Sequence, residues 1–133
     1  MLFRSYVAFN VNAPAQFALH EYLENGVDFK SISLKFAEKR NYFAKLLADT
    51  PFEPIPVKSG LFQPVRLKEA IDIPDMELAM QLIKNSGVAG VPISAYTHDK
   101  TNTGLLRFCF ARPDSILQDA AQKLKSFKPQ LNS

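Results

Sequence analysis

Tryptophan is absent from this chain of 133 residues, and cysteine occurs once, at Cys109. One thiol cannot close an internal disulfide, which fits a reducing cytoplasm. Histidine is nearly as scarce. His20 and His98 stand far apart, with no metal-ligand spacing around either. No apolar run is long enough to span a membrane. The apolar start, Met1 to Phe9, has no basic leader and no cleavage site, and it is not read as a signal peptide. A basic run and a nucleic-acid-binding motif are also missing. The net charge is +3, but the lysines are scattered singly among acids, so no nucleic-acid partner is expected.

What is present is ordinary for a globular chain: 47% hydrophobic and 22% charged residues, enough for one domain with a real core. Residues 2–11 read as extended or irregular, with a short helix near Phe3–Val7. Asn12 is placed as an N-cap, with Pro14 in the first turn of a helix reaching about Glu24, and Asn25-Gly26 ends it. A longer helix is predicted from about Asp28 to Asp49, with Phe29, Ile32, Phe36, Phe43 and Leu47 along its core face. Pro51, Pro54 and Pro56 break the helix and fit an edge strand or an extended lead-in. Residues 60–67 read as a strand, which Pro64 either weakens or puts on an edge. Asp75 opens a helix to about Ser86 with Met76, Ala79, Met80 and Ile83 on one face, capped by Gly87. The last helix, about Pro113 to Phe127, carries Ile116, Leu117, Ala120, Leu124 and Phe127. The fold class is α+β: two N-terminal helices, then a small sheet of about three strands with helices packed on one face.

Chemistry concentrates near the C-terminus. Leu105 to Ala111 reads L-L-R-F-C-F-A, a buried strand with one charge at its centre. Leu106, Phe108 and Phe110 point to one face, and Leu105, Arg107, Cys109 and Ala111 to the other. A buried guanidinium needs an anion, and its planar fork suits a carboxylate. Arg107 is therefore a candidate carboxylate site. On the pattern alone, an ion pair with a nearby Asp or Glu, or an edge strand with Arg107 in water, is the commoner reason for such a residue. Cys109 is read as core packing.

The order of these elements resembles the C-terminal small domain of fold-type I pyridoxal-phosphate aminotransferases. Gly87, Val88, Ala89, Pro92, Ser94 and Tyr96 match the family's G-V-A-x-x-P-x-S-x-F/Y, and Leu106 to Ala111 match its L-R-L/F-C-F-A strand. Val11 to Leu19, V-N-A-P-A-Q-F-A-L, is similar to its V-N-T-P-A-Q-x-A-L. The branch acting on methionine, glutamine, kynurenine and aromatic amino acids is the nearest. The resemblance implies that Arg107 binds the substrate α-carboxylate and that Asn12 sits near the mouth of the site, beside its capping role. It implies an amino acid and a 2-oxo acid as substrates, and a cytoplasmic homodimer as the full enzyme. Residues 1–27 would be a remnant of the large-domain or interdomain segment, and residues 28–133 the small domain. At Lys58-Ser59-Gly60-Leu61-Phe62-Gln63 the sequence departs from the family, with Ser59 where a glycine and Leu61 where an aromatic are usual. The Schiff-base lysine segment belongs upstream of Val11-Asn12 in the family. Ser33-Leu34-Lys35-Phe36 only imitates it, since no Gly-x-Arg-x-Gly follows. Pyridoxal phosphate is thus expected in the full-length enzyme, with none on this chain alone, which would be inactive. The alternative is a non-catalytic carboxylate-binding or structural module.

Overall fold

The computed structural model describes residues 12–130. The helix expected near Phe3–Val7 lies outside the described residues. The chain divides into two compact units, Met1–Ser33 and Leu34–Ser133.

In the first unit, helix α1 spans Ala13–Glu24. Asn12 caps it, its Oδ1 accepting the Ala15 N–H at 3.1 Å, and Pro14 stands in the first turn, where no N–H is missed. None of its residues is buried, and Phe17 is 74% exposed. Helix α2 spans Phe29–Leu46, and the division between the units falls inside it. Asp28 Oδ1 accepts the Ser31 N–H at its start. A 3-10 turn, Leu47–Asp49, continues it. Of the expected core face only Phe43 and Leu47 are buried, while Phe29 is 63% exposed. Helical spacing identifies an apolar stripe but not the length over which that stripe is covered.

The second unit holds a four-stranded antiparallel sheet in the order β1-β2-β4-β3. The strands are β1 Phe52–Pro54, β2 Phe62–Leu67, β3 Val91–Pro92 and β4 Leu105–Cys109. That is one more than expected, because both short proline-containing segments pair. As edges they can spare the N–H groups that proline lacks. Val65, Leu106 and Phe108 point to one face and join one apolar cluster with Phe43 of α2, Leu78 and Leu82 of α3 (Asp75–Ser86), and Leu117 and Leu124 of α4 (Asp114–Lys125). Within the second unit the C-terminal part of α2, with α3 and α4, thus packs on one face of the sheet. Gly90 lets the backbone press against this core: a Cβ there would stand 3.0 Å from Phe108 and 3.2 Å from Leu106.

Helix α3 is rotated from its expected phase. Leu78, Ala79 and Leu82 are buried, whereas Met76, Met80 and Ile83 are about half exposed. Apolar residues occupy both sides of this helix, so periodicity alone does not choose between them. On α4, Leu117, Ala121 and Leu124 face inward and Ile116 faces out. Gly87 ends α3 in the left-handed conformation, with φ at 68°, as its capping role requires.

Pro64 does not lie on an edge. It sits in β2 between β1 and β4, where a proline removes a ladder hydrogen bond. Its carbonyl accepts the Ile55 N–H at 2.9 Å, but it has no N–H to return to the Ile55 carbonyl. Gln63 fills that gap. Its buried side-chain amide donates to the Ile55 oxygen at 2.7 Å and to the Pro64 oxygen at 2.9 Å. Gln63→Leu keeps most of the volume and removes the substitute donor. It should lower unfolding free energy by about 1–3 kcal/mol, the usual cost of a buried group left unpaired. Urea unfolding of the two proteins checks this, and an unchanged midpoint would refute it.

Candidate functional site

The face of the sheet opposite the helices carries Arg107. Its strand is interior, with Pro64 opposite it on β2 and Val91 opposite it on β3. The edge-strand reading is therefore excluded. So is the ion pair: among the described residues no carboxylate forms a salt bridge with Arg107. Two aromatic rings hold the guanidinium instead. Its carbon lies 4.2 Å from the centroid of Phe62 and 4.2 Å from that of Tyr96. Nη2 donates to the Tyr96 hydroxyl at 2.6 Å. Nε is buried and has no hydrogen-bond partner.

This arrangement fixes what can approach. Both rings lie against the cation and contribute cation–π attraction. Nε is sealed away and Nη2 is partly engaged. Among the described residues Arg107 donates that one side-chain hydrogen bond, and a guanidinium can offer a carboxylate two N–H groups side by side. Cys109 shares this face and is half-buried, not part of the core. Its register partner is Phe62, the ring on Arg107. Asn12 is placed at the cap of α1, in the first unit, and Arg107 in the second.

Tyr96 reaches Arg107 from a 3-10 turn, Ile93–Tyr96. That turn is held by Asp75, the first residue of α3, which is 1% exposed. The Asp75 carboxylate accepts the Ser94 N–H at 3.1 Å, the Ser94 hydroxyl, and the Thr103 hydroxyl at 2.8 Å. Burial pushes this carboxyl up, but the hydroxyl and backbone donors of Ser94 and Thr103 together outweigh it and hold the group below its ordinary value. Sequence reading missed both Phe62 as a lid on Arg107 and Asp75 as a hub. The available signals were Phe62 two positions before Pro64 on one face, and an acid after a proline with a threonine-rich loop, residues 97–104, further along.

No helix of the described residues is long and apolar enough to cross a membrane. The sequence model described as "Aminotransferase class I and II" matches residues 4–124. The chain is 30% identical over 121 residues to the methionine aminotransferase of Escherichia coli strain K12, covering 90% of this chain and 31% of that protein. It is 33% identical over 69 residues to human kynurenine–oxoglutarate transaminase 1, covering 49% of this chain and 16% of that one. Among solved structures, an E. coli protein with a methionine aminotransferase function superposes with a TM-score of 0.76 at 30% identity, over 92% of this chain and 32% of that chain. The N-succinyldiaminopimelate aminotransferase of Mycobacterium tuberculosis shares the fold, with a TM-score of 0.77 at 23% identity over 91% of this chain and 32% of that chain. The chain therefore spans about a third of the length of the E. coli and M. tuberculosis relatives, and its match takes in 16% of the human one.

Proposed function

The chain belongs to the class I and II aminotransferases, and from that premise we propose that it is the C-terminal small domain of an enzyme moving an amino group between an amino acid and a 2-oxo acid. The observation that carries this reading is Arg107: a cation without a carboxylate partner among the described residues, held against two aromatic rings. Its role is to hold the substrate α-carboxylate. Residues 28–133 are read as the small domain, and residues 1–27 as the segment toward the large domain, with Asn12 near the mouth of the site. The full enzyme is read as a cytoplasmic homodimer.

The cofactor of this family is pyridoxal phosphate, which supplies an electron sink for the amino acid when bound. The residues placed against Arg107 do not fit it. Phe62 and Tyr96 are aromatic, and neither is the lysine that a Schiff base needs. This chain's own residues orient the substrate: the guanidinium fixes the carboxylate, and the two rings fix the guanidinium. Positioning of this kind reduces the entropic barrier of the chemical step. The chain alone is read as inactive and free of cofactor.

Binding by the chain alone tests the reading. L-Methionine should shift the Arg107 side-chain N–H resonances in a saturable way, and L-methioninamide, which has no carboxylate, should not. Equal shifts with both compounds, or none with methionine up to its solubility, would count against Arg107 as the carboxylate holder.

A further inference from the structure

We propose that Asp75 is the positioning residue of the Arg107 clamp: its carboxylate fastens both backbone segments that bring the guanidinium and the Tyr96 ring together. Ser94 lies two residues before Tyr96 in the same 3-10 turn, and it gives Asp75 both its N–H and its hydroxyl. Thr103 lies two residues before β4, the strand of Arg107, and it gives Asp75 its hydroxyl at 2.8 Å. Thr103 Oγ1 also accepts the Leu105 N–H at 3.3 Å, which passes the restraint to the first residue of the strand. From the other side, the Asp75 N–H donates to Asn102 Oδ1 at 3.0 Å, and that oxygen also accepts the Gly104 N–H.

A carboxylate suits this place because every group around it is a donor. Asparagine would turn an amide N–H toward donors and leave some of them unpaired. The plainer role is to favour the start of α3, where a negative charge complements the helix dipole. That role needs no partner elsewhere. The hydrogen bonds to Ser94 and Thr103, 19 and 28 residues away, are beyond what a local cap requires. The consequence for carboxylate recognition rests on the reading of Arg107 given above, but the geometry of the clamp does not.

The test uses isotope-labelled chain with no ligand and reads the clamp itself. The signals are nuclear Overhauser contacts between the Tyr96 ring and the Arg107 side chain, and the upfield shifts that stacked rings impose on Arg107 protons. Asp75→Asn, Ser94→Ala and Thr103→Val should each weaken both signals at a temperature where the variant is folded, with Asp75→Asn the most severe. Leu82→Val thins the core beneath the same helix without touching the network, and both signals should persist in it. An undiminished clamp in folded Asp75→Asn, or an equal loss in Leu82→Val, overturns the proposal. If Asp75→Asn does not fold, the two hydroxyl variants decide, and unchanged signals in both overturn it. Loss of the clamp in the network variants supports the positioning role even if methionine fails to bind the unaltered chain. That last result would remove only the carboxylate reading.

Discussion

In the full enzyme, Arg107→Lys is expected to lower kcat/KM for the amino-acid substrate by about 10- to 100-fold, since losing a charge-assisted hydrogen bond costs about 1.5–3 kcal/mol and each 1.4 kcal/mol is tenfold. An ammonium keeps the charge but cannot offer two parallel N–H groups, and it stacks less well between Phe62 and Tyr96. The loss should fall mainly on KM for substrates bearing the α-carboxylate. An amine without that carboxylate should be processed much as before. Steady-state kinetics on both substrates decide the matter, and equal losses would remove Arg107 from substrate binding. Thermal unfolding belongs beside the kinetics. Arg107 has no ion-pair partner among the described residues, so melting should change less than catalysis.

The second large effect concerns folding. Asp75→Ala would leave the N–H and the hydroxyl of buried Ser94 unmet, while exposed Thr103 can turn its hydroxyl to water. Each such group costs about 1–3 kcal/mol, so a loss on the order of 4 kcal/mol is expected, a large fraction of a typical domain's stability. The same site predicts a pH dependence. The Asp75 carboxyl is held below its ordinary value in the folded chain, so between the two values the unfolded chain binds the proton more readily. Its contribution is complete above the usual carboxylate range, near pH 4, and is lost as pH falls through the lower folded value. Glu53, lowered chiefly by its hydrogen bond from Arg66, and Asp99, lowered chiefly by the Thr101 hydroxyl, act in the same direction from exposed positions. The difference between wild type and Asp75→Asn isolates Asp75. Acid titrations of unfolding free energy should converge below pH 4, and parallel curves would refute the assignment.

The elements were legible in the sequence where a local cause sets them. Asn12 with Pro14, Pro74-Asp75 and Ser86-Gly87 are short-range signals, and the helix ends fall there. The alternation along β4 correctly set Arg107 apart from Leu106 and Phe108. What failed was whatever depends on distant chain. The phase of α3 is chosen by what the sheet offers, because both of its sides are apolar. Pro64 is tolerated inside the sheet only because Gln63 supplies a donor across to Ile55, eight residues back. The apolar stripe of α2 is covered only toward its C-terminal end. For the site, Arg107 was visible as a charge in an apolar strand. Phe62, 45 positions away by number, became its neighbour only through the β2–β4 register.

Strand β4 keeps two sets of obligations apart. Leu106 and Phe108 are buried in the core, while Arg107 and Cys109 look the other way and are only half-buried. Successive residues therefore answer to different selective pressures. A change at Phe108 is felt first in folding, whereas a change at Phe62, Tyr96 or Cys109 reshapes the surroundings of the guanidinium with little effect on the packed interior. Stability and activity usually compete when new variants arise. Here the pleat of one strand loosens that competition, so, with Arg107 holding a carboxylate as proposed, ligand preference can drift through single substitutions on the outer face without first requiring a reserve of stability.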